Sequence, residues 1–363
     1  MTHPRIARGH CYVTLAYDIA RSIDLEEADR RISETRRRPS LRRKRRTPIY
    51  FEYEPSPLRV SREGEPIGVG RFATRPTIDL MLYDFGAAAA IYALPLETRS
   101  LDELLDLSED LYDNEALLAH SRRQVEWLLR VIGNAAHQPK VAPIVEDYVI
   151  YHIERFEEAV DPEKLCATHR LELAQILRAE REPLSEQEVS EALGARVAYG
   201  PEDMTIVDWN AALVLDSEGD DVVAVLEFAN VQLLEMRFLD EELDGAMDEA
   251  YEQLTRRKGG LRRLGHAAAD LQRVAELQVD NALLFEGVNN TLKLLGDQYL
   301  ARVHRLASRR FHIDEWDASI LRKLQTLESI YEKISDQAAA RRLEILEWII
   351  IVLIAVSIVV GFF

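Results

Sequence analysis

The spacing of hydrophobic positions changes along the chain from the alternation typical of strands to the period typical of helices. Apolar runs predict strands at residues 10–18, 49–53, 78–83, 87–94 and 147–153. Helical spacing and capping residues predict helices at 22–34, 101–107, 115–136, 162–179 and 185–193. Together these elements predict an acidic α+β body over residues 1–258, with a mixed or antiparallel sheet and covering helices.

A second strand pair is predicted at residues 205–215 and 222–228, joined by the turn sequence SEGDD, with a helix at 231–257. The sequences YDFGAA (83–88) and VDWNAA (207–212) share an acidic, aromatic, small and Ala-Ala pattern. Each precedes a predicted strand and then a helix, which favours two pseudo-symmetric ββα halves. A chance match is the alternative.

Residues 259–346 have the periodicity of a long antiparallel helical hairpin with a coiled-coil seam. The break between its helices falls in RRFHIDEW, where Asp314 or Asp317 can cap the second helix. The seam of that helix follows a 4, 3, 4, 3 spacing and predicts self-association through Ile320, Leu324, Leu327, Tyr331 and Ile334. Packing within one chain is the alternative.

The last sixteen residues, Trp348–Phe363, carry no charge and predict a C-terminal transmembrane anchor over 347–363. Arg341, Arg342 and Trp348 mark the predicted membrane junction. Because basic residues flank only the N-terminal side, the positive-inside rule places the body in the cytoplasm of a single-pass membrane protein. A buried core helix or a partner-binding helix is the alternative, although apolar residues cover every face.

The composition fits an acidic chain with a real core. Hydrophobic residues make up 47% of the 363 residues and the net charge is −18, which disfavours broad binding to nucleic acid. The two cysteines, Cys11 and Cys166, show no ligand spacing and fit a reducing compartment.

One basic segment interrupts the acidic pattern. Residues 36–46 read RRRPSLRRKRR, with eight basic residues in eleven. This segment predicts a contact with anionic lipid or RNA through Arg36, Arg37, Arg38, Arg42, Arg43, Lys44, Arg45 and Arg46. A solvated loop without a partner is the alternative.

Catalytic chemistry is weakly indicated. Asp79, Asp84, Asp147 and Asp208 lie in or beside predicted strands, but their spacing matches no metal or acid/base motif, so turn and cap roles are favoured. His152 in YVIYHIE is interpreted as a core histidine. The sequence therefore predicts no cofactor, no metal site and no catalytic residue, and favours a protein that is not an enzyme.

The C-terminal 140 residues resemble the required-for-meiotic-nuclear-division family, on the stretches LEFANVQLLEMRFLD (226–240) and RRLEILEWIIIVLIAV (341–356). That resemblance implies an α/β body, a helical pair and a terminal apolar anchor after LEW. It implies a membrane-tethered scaffold with no known catalytic residues, and in mitochondrial members a supporting role near the translating ribosome.

These observations predict a membrane-tethered, non-enzymatic scaffold or adaptor that self-associates through its coiled coil and binds an unknown protein partner. Two alternatives stay open. One is a metal- or nucleotide-dependent enzyme that uses strand-end carboxylates such as Asp84 and Asp208. The other is a membrane tether that contacts RNA or the ribosome through residues 36–46.

Overall fold

The computed structural model describes residues 4–35, 41–42, 56–255 and 298–361. The chain divides into two compact units. Unit 1 comprises residues 1–238 and 284–314, and unit 2 comprises residues 239–283 and 315–363.

Unit 1 is built on a nine-stranded mixed sheet with the strand order β11-β12-β13-β10-β1-β8-β7-β4-β3. All neighbouring strands in it are antiparallel except β10 and β13, which are parallel. Two short pairs, β2 with β9 and β5 with β6, lie outside this sheet. The strands are β1 Ile6–Asp18, β2 Ser22–Ile23, β3 Leu41–Arg42, β4 Leu58–Glu63, β5 Gly68–Val69, β6 Phe72–Ala73, β7 Thr77–Leu82, β8 Ala87–Pro95, β9 Ala136–His137, β10 Glu146–Phe156, β11 Arg196–Val197, β12 Met204–Val207 and β13 Ala211–Leu215.

Two of the described helices, α7 with 36 residues and α9 with 49, are much longer than the others, which have at most 18. The sequence predicts the cap of α6 at Ser185, and α3 and α4 begin at two further caps, Asn114 and Asp161. Each of the three side chains accepts a backbone N–H of the first turn. The helices are α1 Leu25–Thr35, α2 Leu101–Leu111, α3 Glu115–Ile132, α4 Pro162–Thr168, α5 Arg170–Arg178, α6 Glu186–Ala192, α7 Asp220–Thr255, α8 Gln298–Arg310 and α9 Ile313–Gly361.

The first face of the sheet carries the apolar core. Alternate residues of β1, from Cys11 to Tyr17, are buried together with Leu104 of α2 and Leu128 of α3. The hydroxyl of Tyr17 lies 2.6 Å from the hydroxyl of Ser121 in α3, which satisfies a buried polar group at the edge of this core.

The second face is more polar, and α7 and α8 cover part of it. Asn230 of α7 donates a hydrogen bond to the carbonyl of Glu146 at 3.2 Å. The hydroxyl of Tyr299 in α8 lies 3.3 Å from Oγ1 of Thr205. Phe311, just after α8, meets Tyr148 edge to face with 5.1 Å between the ring centroids. On this face Arg59 of β4 and Asp79 and Met81 of β7 remain partly exposed.

Within unit 2, the described part of the α9 seam is filled by residues of the same chain. Ile320, Leu324, Leu327 and Tyr331 are all buried, and the second half of α7 buries a row with a similar spacing, Leu239, Leu243, Ala246 and Ala250. Lys323 of α9 ties the helices together by pairing with Asp240 at 2.7 Å and Asp244 at 2.6 Å. The side chain of Ile334 lies outside the described residues.

The structure corrects the predicted second strand pair. Residues 222–228 are not a strand but the start of α7, so only 204–207 and 211–215 form the hairpin. Asp220 and Asp221 occupy the first turn of this helix, where negative charge is stabilised by the helix dipole. A short apolar run of β-branched residues does not by itself distinguish a buried helix from a strand.

The predicted helical break is confirmed, with a different geometry. α8 ends at Arg310 and α9 begins at Ile313, with His312 at a positive φ of 56° between them. Asp314 and Asp317 therefore lie inside α9 and are not its caps. The predicted partner helix lies mostly in residues 256–297, outside the described residues.

The predicted transmembrane anchor at 347–363 is wrong. Among the residues that the structure describes, no helix is long and apolar enough to cross a membrane. The uncharged end of α9, from Trp348 to Gly361, measures about 21 Å, against a hydrocarbon thickness of about 30 Å. The prediction of a single-pass membrane protein with a cytoplasmic body is overturned with it.

Gly86 is a position where the turn between β7 and β8 requires glycine. Its φ is +111°, and a Cβ there would lie 1.7 Å from the carbonyl oxygen of Ala20. The Gly86 carbonyl accepts the backbone N–H groups of Ile19 and Ala20 at 3.0 and 3.2 Å. We therefore expect Gly86→Ala to lower the free energy of unfolding by more than about 2 kcal/mol, measured by urea denaturation.

Gly64→Ala is the matched control for this measurement, because a Cβ added at Gly64 would meet nothing within 4 Å and the φ of Gly64 is not positive. Equal stability of the two variants would contradict the proposed role of Gly86.

Candidate functional site

A cluster of polar side chains lies on the second face of the sheet, centred on Tyr12 of β1. His10 and Tyr12 are two residues apart and point to the same face. Their rings lie 5.9 Å apart, and the Tyr12 ring stacks on His152 of β10 at 6.4 Å. The β1–β10 register pairs His10 with His152, so the two imidazoles flank one phenol.

His10 is held between a cation and an anion. The guanidinium of Arg75 donates to its Nε2, so the ring proton sits on Nδ1. Nδ1 faces the carboxylate of Glu154 at 3.6 Å. Burial, reinforced by the charge of Arg75, lowers the pKa of His10 below its usual value.

His152 is a buried histidine in which one ring nitrogen makes a hydrogen bond and the other makes none to the described residues. Its Nε2 donates to the carbonyl of Asp216 at 2.9 Å, which leaves Nδ1 as an acceptor. Nδ1 is buried without a hydrogen-bond partner among the described residues. The interpretation of His152 as a core histidine is therefore consistent with its burial.

The second half of the cluster joins β4, β7 and α7. Arg59 of β4 donates to Asp79 of β7 at 2.5 Å, and Ser61 also donates to Asp79. Glu227 of α7 is buried near both residues, and burial raises the pKa of its carboxyl to about 7, with Arg59 acting in the opposite direction. Burial and the charges of Asp220 and Glu227 raise the pKa of Tyr12 to about 12.

Asp208, one of the candidate strand-end carboxylates, is the centre of a separate ionic network. It lies in the β12–β13 turn and is completely buried. Arg178 donates to its Oδ2 at 3.0 Å, and Arg310 donates to its Oδ1 at 2.7 Å. The same two arginines pair with Glu188 and Glu191. Because its carboxylate pairs with two guanidinium groups, we interpret Asp208 as part of a structural ion pair.

Asp84 and Asp208 do not share a site. Both lie in hairpin turns, between β7 and β8 and between β12 and β13, so the repeated sequence pattern does mark two similar turns. The hairpins lie on opposite sides of the central β10–β1 pair. β8 and β13 are three strand spacings apart, about 14 Å. The two aspartates therefore cannot act as a close acid/base pair.

The basic segment is described only at β3, where Leu41 and Arg42 pair with Arg62 and Ser61 of β4. The other predicted contact residues, Arg36, Arg37, Arg38, Arg43, Lys44, Arg45 and Arg46, lie outside the described residues, and their contact with lipid or RNA stays a prediction. At the end of the chain Trp348 is exposed, and the side chains of Arg341 and Arg342 are not described.

Sequence reasoning did not find Glu227, Arg59 or Tyr12. The sequence did not indicate Glu227 as a site residue because residues 222–228 were predicted to form a strand. The single acid in the apolar run VVAVLEFANV does indicate a candidate site residue, because a charge in a fully buried helix needs a partner. Arg59 and Tyr12 join the cluster only through the pairing of β4, β7, β8 and β1, which their own neighbours in sequence do not indicate.

These features define an α+β protein with a nine-stranded mixed sheet and a polar cluster on one face. No group of three or more potential metal-binding side chains occurs in the part of the chain that the structure describes. The chain belongs to the family described as "Uncharacterized protein MJ0711, N-terminal domain", whose profile matches residues 8–221.

A relative in Methanocaldococcus jannaschii, the uncharacterized protein MJ0711, is 26% identical over 239 residues. The match covers 65% of this chain and 66% of that protein, so the chain spans just under two thirds of its relative's length. No solved structure matches the chain.

The resemblance to the required-for-meiotic-nuclear-division family is wrong. The family match falls on residues 8–221, in the N-terminal part of the chain, while the resemblance depended on residues 226–240 and 341–356. An amphipathic helix followed by an apolar stretch is a pattern that unrelated proteins share, which explains the error. The matched segment contains His10, Tyr12, Arg59, Asp79 and His152 but ends before Glu227.

The Asp208 network gives a stability prediction. Asp208→Asn leaves Arg178 and Arg310 with a neutral partner in a buried site, so we expect a loss of about 3–5 kcal/mol in the free energy of unfolding. Urea denaturation of the full chain measures it. Glu191→Gln is the control, because Glu191 is half exposed and its loss should cost at most about 1 kcal/mol. Similar losses in both variants would show that Asp208 is not the centre of the network.

Two buried carboxyls predict a pH dependence of stability. Burial raises the pKa of both Glu227 and Glu146 to about 7, while an unfolded glutamate titrates near ~4.3. Between these values the folded state binds more protons than the unfolded state, so stability falls as the pH rises through about 7. For Glu227 the loss is at most about 4 kcal/mol.

We expect Glu227→Gln to reduce the decline in unfolding free energy between pH 5 and pH 8, measured by urea titrations at each pH. Glu202→Gln, at an exposed position, should leave the decline unchanged. A decline that is the same in both variants would exclude Glu227 as a contributor.

Proposed function

We propose that this chain is a non-enzymatic scaffold that self-associates through the apolar end of α9. The observation that carries the proposal is the exposure of the apolar side chains at this end. Leu343, Leu346 and all seven residues from Trp348 to Ile354 are between 49% and 64% exposed.

A helix that is apolar on every side is normally buried on every side. The residues from Trp348 to Ile354 occupy consecutive positions of α9, so they point in all directions around two turns. Monomeric proteins rarely leave such a continuous apolar surface in water, and larger patches mark interaction sites. This end of α9 therefore needs a covering partner.

A second copy of the same chain fits this surface best. The segment is uncharged, so two copies can approach without the repulsion expected from a chain with a net charge of −18. Only other apolar helices can cover all of its sides, and the same segment of another copy supplies one. The adjoining sequence RRLEILE contains both signs of charge, which can form ion pairs between parallel or antiparallel copies.

The remaining features favour a scaffold over an enzyme. Asp208 is committed to two arginines, and Asp84 lies about 14 Å or more away across the sheet. The earlier seam residues, Ile320 to Tyr331, are already buried within one chain. Self-association would therefore use the exposed continuation of α9 rather than that seam.

Sedimentation equilibrium of the full chain in detergent-free buffer tests the proposal. The wild type should sediment above its monomer mass of 41.5 kDa at micromolar concentration. Ile350→Glu combined with Leu353→Glu places two charges in the apolar surface and should return the chain to a monomer, or weaken association at least 100-fold. Because both residues are exposed in the single chain, the fold should not change.

Lys333→Ala is the matched control, since Lys333 is an exposed residue of the same helix before the apolar segment. It should associate like the wild type. A wild type that stays monomeric up to 100 μM, or a double variant that associates as strongly as the control, would contradict the proposal.

A further inference from the structure

Glu227 is a buried acid that unit 1 leaves incompletely neutralised. Its side chain is 7% exposed in the run of apolar residues that begins α7. Among the described residues no group donates a hydrogen bond to its carboxyl. Buried acids in proteins are normally paired or hydrogen-bonded, because an unpaired buried charge is costly.

The charges around Glu227 are unequal. The guanidinium of Arg59 is the positive group in range, but it donates directly to Asp79 at 2.5 Å. Asp220, about two turns earlier on α7, adds a third carboxylate. Among Glu227 and the described charges that act on it, one guanidinium therefore faces three acids, so the balance around this carboxyl is negative.

Aromatic rings line the same region. Glu227 lies within electrostatic range of Tyr83 and Tyr12. The Tyr83 ring packs against Phe85 at 5.3 Å and against Phe228, the residue after Glu227, at 6.1 Å. A carboxylate beside aromatic rings is a combination that attracts organic cations, by ion pairing and by interaction with the ring faces.

The cluster is accessible on one side. Tyr12, Arg59, Asp79 and Met81 lie on the second face of the sheet and are all half-buried. Glu227 belongs to α7 and lies within electrostatic range of Tyr12, Arg59 and Asp79. Because Tyr12 and Asp79 are partly exposed, we expect a small ligand to approach the carboxyl beside these two residues.

We propose that this face of the sheet binds a protonated aliphatic amine, with Glu227 as its counter-ion and Tyr12 and Tyr83 against its chain. The ammonium supplies the missing positive charge and donates the hydrogen bonds that the carboxyl lacks. An anion is disfavoured because acids outnumber Arg59. A bound metal ion is disfavoured because the described residues contain no group of three metal-binding side chains.

The probe is n-butylammonium chloride, and its neutral counterpart is n-butanol. Isothermal titration calorimetry of the full chain at pH 8, where Glu227 is mostly ionised, should show saturable binding of the amine and none of the alcohol. The affinity should fall about tenfold from pH 8 to pH 6, since the ionised fraction of an acid with a pKa of about 7 falls from about 0.9 to about 0.1.

Glu227→Gln should weaken binding at least tenfold and remove its pH dependence, and it should remain folded because it removes a buried charge. Glu65→Gln, an exposed position, should bind like the wild type. Binding of n-butanol equal to that of the amine would overturn the proposal. So would unchanged binding by Glu227→Gln, or no binding up to 100 mM amine. Self-association through α9 is measured separately, so either result is independent of the other proposal.

Discussion

The fold of unit 1 depends on β1, a thirteen-residue strand that pairs along its length with β10 on one side and β8 on the other. Successive side chains of a strand point to opposite faces of the sheet. The sequence of β1 therefore determines which of its residues lie on the apolar face and which lie on the polar face. The odd-numbered residues of β1 from Cys11 to Tyr17 lie in the apolar core. Its residues at even positions, including His10, Tyr12 and Thr14, enter the polar face. A shift of this strand by one residue would move its apolar side chains to the polar face and its polar side chains to the core. The register of β1 therefore determines where the polar cluster lies.

The polar face is unusual because it holds several buried polar atoms without hydrogen bonds. The described structure contains Nδ1 of His152, Oγ1 of Thr14 and Nε of Arg59 in this state. Native proteins leave few buried polar groups unsatisfied, and those that remain often belong to functional sites. The two faces of the sheet in unit 1 therefore have different roles. The first face stabilises the fold through its apolar core, and the second face carries polar groups that the stability of the fold does not require.

Sequence patterns predicted the elements that have strong local signals. The strand at β1, the helix α3 and the cap of α6 at Ser185 all follow from spacing and capping chemistry. The stretch 222–228 was misassigned because β-branched residues favour strands while the acids before them favour a helix start. The polar cluster could not be predicted, because Tyr12, Arg59 and Glu227 come together only through long-range pairing. The apolar end of α9 was recognised, but apolar character alone did not establish a membrane span, because no described helix is both long enough and apolar enough to cross a membrane.

The two arginines on Asp208 have a consequence for how the chain folds as it is made. Arg178 is already present when the β12–β13 hairpin forms, but Arg310 follows Asp208 by 102 residues. At about 5–20 residues per second, the ribosome adds Arg310 roughly 5–20 s after Asp208. During that interval the hairpin holds its buried carboxylate with one arginine instead of two. The family-matched segment, residues 8–221, thus reaches its final stability only when α8 has been synthesised, so that a late part of the chain completes an early domain.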